Sequence, residues 1–353
     1  MSSTVHAAKS LLAIVLVHTG LLALVQRLRR PHVLVLAYHR VTPDAGMDAV
    51  DYPAMHVSTR SFAAQLRALR QFYDIVPLGD LTAILSGTTP LRRHVAAVTF
   101  DDGYRDNFRD AFPILAQENI PATFFLSLGF VDGREPFWFD RVAAAAHAWD
   151  AKPQARDAAR ADLPAGLVGA FAADAPRVER LRRAVAFLKT LPDAERTAVV
   201  DRLTQLDATV DCTSEPMHWD EVRALRDAGM GIGAHGTQHA ILTRMESTAS
   251  SRDIATSVER IGARLGMQVV GFAYPNGDAD ARVAAQAADA GVQLAFTMQP
   301  ENPRPGADRL RIGRRNVCED TSRSAWRHFS RAYFWCEITG AFDFVLQRGA
   351  RSK

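Results

Sequence analysis

Cysteine is scarce. The 353 residues hold three, Cys212, Cys318 and Cys336, far apart and without a CxxC pair. This excludes a disulfide framework and a thiolate zinc site, so any metal must be held by histidine and carboxylate. Excess charge is also lacking: 42 basic residues against 39 acidic ones are too balanced to mark a nucleic-acid binder. No solenoid-period repeat is visible. With 48% hydrophobic and 23% charged residues the chain is neither disordered nor a multi-span membrane protein. The length fits two domains, or one α/β barrel of about 250 residues with roughly a hundred to spare.

The longest apolar run, from Leu11 to Val25, is about fifteen residues, short of the roughly twenty a spanning helix needs, and His18, Thr19 and Gly20 interrupt it. The next residues, Gln26-Arg27-Leu28-Arg29-Arg30-Pro31, are unlike a signal cleavage site. If the run inserts, Arg27, Arg29 and Arg30 outweigh Lys9 and hold the main domain on the cytoplasmic side of the inner membrane. If it lies flat it suits an interfacial helix, and otherwise it is a helix docked on the domain. Export stays open. Near the other end, Trp326, Phe329, Tyr333, Phe334 and Trp335 crowd together with Arg323, Arg327 and Arg331. They read either as a bilayer-interface cluster or as a terminal helix with its aromatic face on the barrel.

Between the ends, β-branched runs alternate with helical periodicity. Val33 to Tyr38, His94 to Phe100 and Ala122 to Phe130 read as buried strands, and Ser58 to Tyr73 and Asp106 to Gln117 as helices. This is the order of a parallel sheet. It stops near Asp132. Helical periodicity in Val178 to Leu191 and Ala194 to Leu206 makes 133–215 a helical insertion, since a structureless loop of that length does not suit a compact domain. Beyond it, helices are expected at Trp219 to Ala228, Thr248 to Leu265 and Ala279 to Ala290. Strands are expected at Gly231 to Ala234, Val269 to Tyr274, Gln293 to Thr297 and Leu310 to Gly313. The organisation is thus an N-terminal hydrophobic and basic segment (1–32), a barrel in two parts (33–132 and 216–320) split by the insertion, and an aromatic, basic tail (321–353).

The polar residues suited to chemistry stand just after apolar runs: His39, Asp101 and Asp102, His235, and Tyr274-Pro275-Asn276-Gly277. In parallel α/β proteins the C-terminal strand ends form one face, where sites are built. His235 and His239, four apart, would share one side of a helical turn, a common way to present two metal ligands. Gly236 stands where a metalloprotease motif would have glutamate. Alone, the histidine pair and the adjacent aspartates are weak signals, the latter reading equally as a turn or helix cap. Together they propose a two-histidine, one-carboxylate site for zinc or a similar divalent ion, with the other aspartate free to act as base.

Thr99-Phe100-Asp101-Asp102-Gly103, the His235/His239 pair and Phe272-Ala273-Tyr274-Pro275-Asn276-Gly277 together resemble the polysaccharide deacetylase family, also called the NodB-homology or carbohydrate esterase 4 family. The resemblance covers Val33 to Phe130 and Pro216 to Val317. It implies a distorted parallel (β/α) barrel and metal-dependent N-deacetylation of an amino sugar, the partner being an N-acylated glycan. By position it implies Asp101 as base, Asp102, His235 and His239 as ligands of zinc (or cobalt, nickel or manganese), and the backbone of Asn276 as an oxyanion contact. The family's late Leu-His-Asp motif is absent. In a branch resembling exopolysaccharide deacetylases an early Tyr-His supplies the acid, which makes His39 the candidate; otherwise it is a strand-end histidine satisfied by hydrogen bonds.

Two departures accompany the match. Gly236 stands where serine or threonine is usual, and Ala273 where an arginine often steadies the base, a charge that Arg40, Arg105, Arg311, Arg314 or Arg315 could supply. Tyr274, Pro275 and Trp138 are candidate substrate contacts. The run Phe137-Trp138-Phe139-Asp140 floors a sugar groove or else anchors the insertion. Two rival readings are a deformylase or deacetylase of a polyprenyl-phosphate-linked sugar at the membrane, and a barrel that binds glycan without turnover. The coexistence of Asp101, Asp102, His235 and His239 argues against the last, because a binding module needs neither base nor open metal site.

Overall fold

The computed structural model describes residues 3–133, 135–151, 163–172, 174–205 and 214–343. Among these, ten strands form: β1 (Val33–Tyr38), β2 (Arg40–Thr42), β3 (His56–Ser58), β4 (Asp74–Ile75), β5 (Val95–Phe100), β6 (Ala122–Leu126), β7 (Gly231–Ala234), β8 (Gly271–Ala273), β9 (Leu294–Phe296) and β10 (Arg315–Asn316). The helices before the insertion are α1 (Ser3–His18), α2 (Leu21–Leu28), α3 (Thr59–Leu69), α4 (Leu78–Leu85), α5 (Phe112–Glu118) and α6 (Leu128–Gly133). Within it lie α7 (Trp138–Ala151), α8 (Ala165–Ala172), α9 (Arg177–Leu188) and α10 (Asp193–Gln205), and after it α11 (Trp219–Asp227), α12 (Ser247–Leu265), α13 (Ala281–Asp289) and α14 (Arg331–Ile338). Leu206, Cys212 and the tail beyond residue 343 lie outside the described residues.

Every residue of β1, β5 and β6 is buried, as strands covered on both faces must be. The main sheet runs β10-β1-β5-β6-β7-β8-β9, all parallel, with β4 added beside the start of β5. Its two edges are joined by one segment. Ile312 exchanges backbone bonds with β9 (Ile312 N–H to Ala295 O, 2.9 Å; Thr297 N–H to Ile312 O, 2.8 Å), and three residues later Arg315 pairs with Leu36 of β1. The sheet therefore curls into a distorted parallel (β/α) barrel.

Side-chain alternation assigns the two faces. Tyr38, Phe100 and Phe124, in register on three neighbouring strands, stack outward beneath Phe62 of α3. Val33, Val35, Val95, Ala97, Phe125 and Phe296 belong to a separate inner cluster. The same parity carries forward: His39, Asp101 and His235 continue the inward-facing rows of β1, β5 and β7.

Three expectations need correction. The run Ala122 to Phe130 is a strand only to Leu126, because Leu128 N–H and Gly129 N–H turn to bond Gly236 O (3.0 Å) and Thr237 O (2.7 Å) and α6 begins there. At Leu310 to Gly313 only Ile312 bridges, and the last ladder is β10. Between Asp106 and Gln117 the chain makes a π-helical turn (Asn107–Ala111) before α5. The insertion helices pack a small core of their own, including Trp149, Leu167, Phe171, Leu181 and Val200.

At the N-terminus, Gly20, with φ of 71°, breaks the apolar run into α1 and α2, which are bent by 73°. No single described helix is long and apolar enough to cross a membrane. The aromatic tail divides: Tyr333, Phe334 and Trp335 are buried, with Trp335 Nε1–H donating to Ala68 O (2.9 Å), whereas Trp326 and Phe329 are exposed.

Gly233 sits where β6, β7 and β8 crowd together. A Cβ there would run into the Phe125 ring and lie 2.9 Å from Gly271 O. Gly233→Ala should cost about 1–3 kcal/mol of stability, measured by urea unfolding.

Candidate active and metal site

The end of β5 turns sharply. Asp102 has φ of 79° and Gly103 of 90°, a left-handed turn that aspartate tolerates and glycine favours. Without it, neighbouring side chains would point to opposite faces of the sheet; with it, Asp101 and Asp102 both reach one cavity.

Asp102 is fully buried, and neither carboxylate oxygen has a hydrogen-bond partner. Its Oδ1 lies 3.4 Å from Nε2 of His235 and 3.4 Å from Nε2 of His239. The nearest ligand atoms of the three residues are all within 4.8 Å of one another. His235, at the end of β7, donates Nδ1–H to Ala273 O (2.7 Å), which leaves Nε2 as the free lone pair. A buried, unpaired carboxylate costs free energy unless it is coordinated, so this donor set fits a divalent cation.

The two histidines do not share a helical turn. The segment from His235 to Ala240 is irregular, with Gly236 at φ 73° and His239 at φ 53°. The loop is clamped from outside: Asp253 of α12 accepts the Thr237 N–H (3.0 Å), and the α6 amide groups bond Gly236 and Thr237. His239 packs edge-on against both Phe137 and Phe139, which are stacked on each other, with ring centroids at 5.3 and 5.4 Å. Spacing brought the pair together for a different geometric reason from the one expected.

Asp101 faces Arg314, whose two terminal nitrogens bond the two carboxylate oxygens at 2.7 Å each. Arg314 is itself fully buried, also donates to Thr99 Oγ1 (3.1 Å) and Thr297 O (3.3 Å), and lies over the rings of Phe125 and Phe296. Burial alone would raise the Asp101 pKa, but the Arg314 charge, then that of His235, hold it well below the usual carboxylate range. The other four candidate arginines are committed elsewhere: Arg40 to Asp106, Arg105 to Glu221 and Glu215, Arg311 to Asp308, and Arg315 to Asp343.

A cavity of about 400 Å³ opens over these groups, and its wall includes His39, Asp101, Asp102, His235, His239, Tyr274, Asn276 and Trp138. His39 Nδ1 is buried without a partner, and so is Trp138 Nε1. Asn276 adopts φ of 62°, and its Nδ2 donates to Asp278 Oδ2 (2.7 Å). Tyr274 is anchored by its hydroxyl to Leu310 O (2.9 Å). Pro275 is buried close to Gly236 and is not part of the cavity wall.

The family model for polysaccharide deacetylase matches residues 88–158 and 186–295. These segments make up half of the sequence and carry Asp101, Asp102, His235, His239 and Asn276. The chain belongs to the polysaccharide deacetylase family. Membership makes it a hydrolase of the carbohydrate deacetylase kind, a family generally dependent on a metal ion. Among solved structures it is similar to IcaB from Ammonifex degensii (20% identity, TM-score 0.55, covering 87% of this chain and 98% of that one). It is also similar to the deacetylase PplD of Streptococcus pyogenes (14%, 0.54, 85% and 97%) and to a de-N-acetylase from Aggregatibacter actinomycetemcomitans (17%, 0.53, 82% and 96%). At these identities the likeness is one of fold. No curated protein matches the chain.

The two departures from the family pattern have local explanations in this deacetylase. At Gly236 the backbone is left-handed and a Cβ would lie 2.8 Å from Asp253 Oδ1, so the loop is built around a glycine. The charge missing at Ala273 is supplied by Arg314, from the segment that closes the barrel. Sequence reasoning missed other wall residues: Tyr52 and Met55 before α3, Val185 and Lys189 at the end of α9, and Met298 and Asn316. Only a long-range contact map could have signalled these. Trp138, offered both as a groove floor and as an anchor of the insertion, lines the cavity and has the Arg196 guanidinium 5.2 Å over its ring.

Arg314→Ala should lower stability by about 3–5 kcal/mol, because it leaves Asp101 buried and unpaired. Arg314→Lys, which keeps charge but not the two-pronged geometry, should recover only part of that loss. Urea titrations of both variants check this.

Proposed function

We propose that this protein hydrolyses the N-acyl amide, most simply N-acetyl, of an amino sugar in a polysaccharide or glycan precursor. The observation that carries the reading is the pairing of two buried carboxylates with different surroundings. Asp102 is unpartnered and faces two imidazole Nε2 atoms, while Asp101 is held ionised by Arg314.

Asp102, His235 and His239 would hold the divalent ion, zinc before cobalt, nickel or manganese. Such an ion, when bound, supplies Lewis acidity to the acyl carbonyl and acidifies water. Asp101 removes the proton of the attacking water; each of its oxygens keeps a lone pair beyond the one shared with Arg314. The backbone N–H of Asn276 donates to the oxyanion that develops as the carbonyl becomes tetrahedral. His39, in the role of the early Tyr-His branch, delivers a proton to the departing nitrogen. The C–N bond breaks and the products are a carboxylic acid and a free amine. Tyr274 and Trp138 form the wall against the sugar, and an indole face packs well on a pyranose ring.

A second reading, a polyprenyl-phosphate-linked sugar as substrate, is favoured by one observation. A neighbouring cavity shares Met298 and Asn316 with the catalytic one and extends to His6 of α1. Nothing in the cavity favours a barrel that only binds glycan.

The deciding measurement is metal content together with chelator-sensitive acetate release from an N-acetylglucosamine oligomer. Asp101→Asn should retain the metal and lose about 10²–10⁴-fold in turnover, while His235→Ala should lose both metal and turnover. Full metal occupancy in His235→Ala would refute the ligand assignment. Metal without release directs the assay to lipid-linked sugars. His39→Ala should slow amide cleavage far more than cleavage of an activated ester, whose leaving group hardly needs a proton; equal losses on the two substrates would remove His39 from the acid role.

A further inference from the structure

The helix α2 is built inside out. Its buried residues are Leu22 and Gln26, and the Gln26 Oε1 has no hydrogen-bond partner, while Leu21, Leu24, Val25 and Leu28 face outward. Leu28 is 77% exposed. An amphipathic helix in water does the reverse.

The preceding helix repeats the theme. One side of α1, with Ser10 and Ala13, is buried, and Lys9 pairs with Glu337 of α14 (3.1 Å). The opposite stripe, through Val5, Ala8, Leu11 and Val15, is open, with Leu11 and Val15 each 56% exposed. A helix apolar on all sides belongs in a core or in lipid.

A third element joins them. Arg323 and Phe329 bridge in antiparallel fashion, forming a hairpin whose tip exposes Trp326 and Arg327. It is fastened to α1 by Ala325 N–H to Ser10 Oγ (2.9 Å) and by the His6 ring to Arg323 O (2.9 Å). Arg29 at the end of α2 donates to Thr339 O (2.7 Å), just beyond α14. Ten large apolar side chains are exposed among the described residues, and nine of them lie on α1, α2 and this hairpin; Val178 is the exception. So concentrated an apolar surface marks an interaction site.

Charge identifies the occupant. The first acidic residue of the chain is Asp44, whereas Arg27, Arg29 and Arg30 stand directly beside the exposed leucines. Between Asp320 and Glu337 the hairpin and its flank carry Arg323, Arg327 and Arg331 and no acid; Arg323 pairs with Glu319 (3.6 Å), so Arg327 and Arg331 carry the charge of this edge. Apolar side chains and indole flanked by arginine match the two layers of a membrane interface, acyl chain and anionic headgroup. We propose that α1, α2 and the 323–329 hairpin form a docking face for the surface of an anionic lipid bilayer.

The test is co-sedimentation of the full chain with vesicles of phosphatidylcholine alone or mixed with phosphatidylglycerol. The protein should pellet with the mixed vesicles and be released by salt. Leu24→Asp with Leu28→Asp, and separately Trp326→Ser with Phe329→Ser, should weaken partitioning more than roughly tenfold. Arg27→Gln with Arg30→Gln should weaken it roughly fivefold per arginine, on the mixed vesicles only. All these side chains are exposed and outside the catalytic cavity, so melting temperature and deacetylation of a soluble oligomer should be unchanged. Failure to pellet, or pelleting that the Leu24/Leu28 and Trp326/Phe329 variants retain, overturns the proposal. So does a concentration-dependent dimer that these variants dissolve without any vesicle binding, which would assign the face to a second copy of the chain.

Discussion

The interaction on which the rest depends is the buried pair of Asp101 and Arg314. Two charges removed from water are costly, and their attraction offsets that cost only when the geometry is good and every remaining donor is satisfied. The guanidinium is matched to the carboxylate at both oxygens, and two of its three other hydrogens reach Thr99 and Thr297. Phe125 and Phe296 lie against the guanidinium, where water would screen it. Arg314 lies between Ile312, bonded to β9, and Arg315, paired with β1. The pair thus ties the end of β5 to the segment that joins the edges of the sheet. Closing the barrel and holding the candidate base ionised are one interaction.

Much of this was legible because it is local. Uninterrupted apolar runs marked the parallel strands, although with both faces buried they did not say which face is inward; the structure puts Val33, Val35, Val95 and Ala97 inside, and His39 and Asp101 follow in the same rows. Reactive residues placed directly after such runs must gather at one end of the barrel. Helical periodicity located α9 and α10 to within a few residues.

Backbone turns and distant contacts left no such trace. Four-residue spacing suggested a helical face for His235 and His239, yet two left-handed residues and an aspartate from α12 make the loop that joins them. Five arginines were equal candidates to stand behind the base. Only the barrel's closure singles out Arg314, because that choice is set by pairing across more than two hundred residues of chain, which no local pattern encodes. The Ala122 to Phe130 run shows the same limit: its apolar composition suits a strand throughout, but bonds to the His235–Ala240 loop end the strand at Leu126.

The division between local and distant constraint also separates chemistry from selectivity. The candidate catalytic groups stand at or just beyond the ends of β1, β5, β7 and β8, where the sheet places His39, Asp101 and His235 and the turns that follow place Asp102, His239 and Asn276. The wall they face comes from elsewhere: Tyr52 and Met55 before α3, Trp138 at the start of α7, and Val185 and Lys189 at the end of α9. These last belong to an insertion with its own hydrophobic core. The wall is thus assembled from segments that the motif does not include, and so the motif that identifies the chemistry carries little information about the sugar.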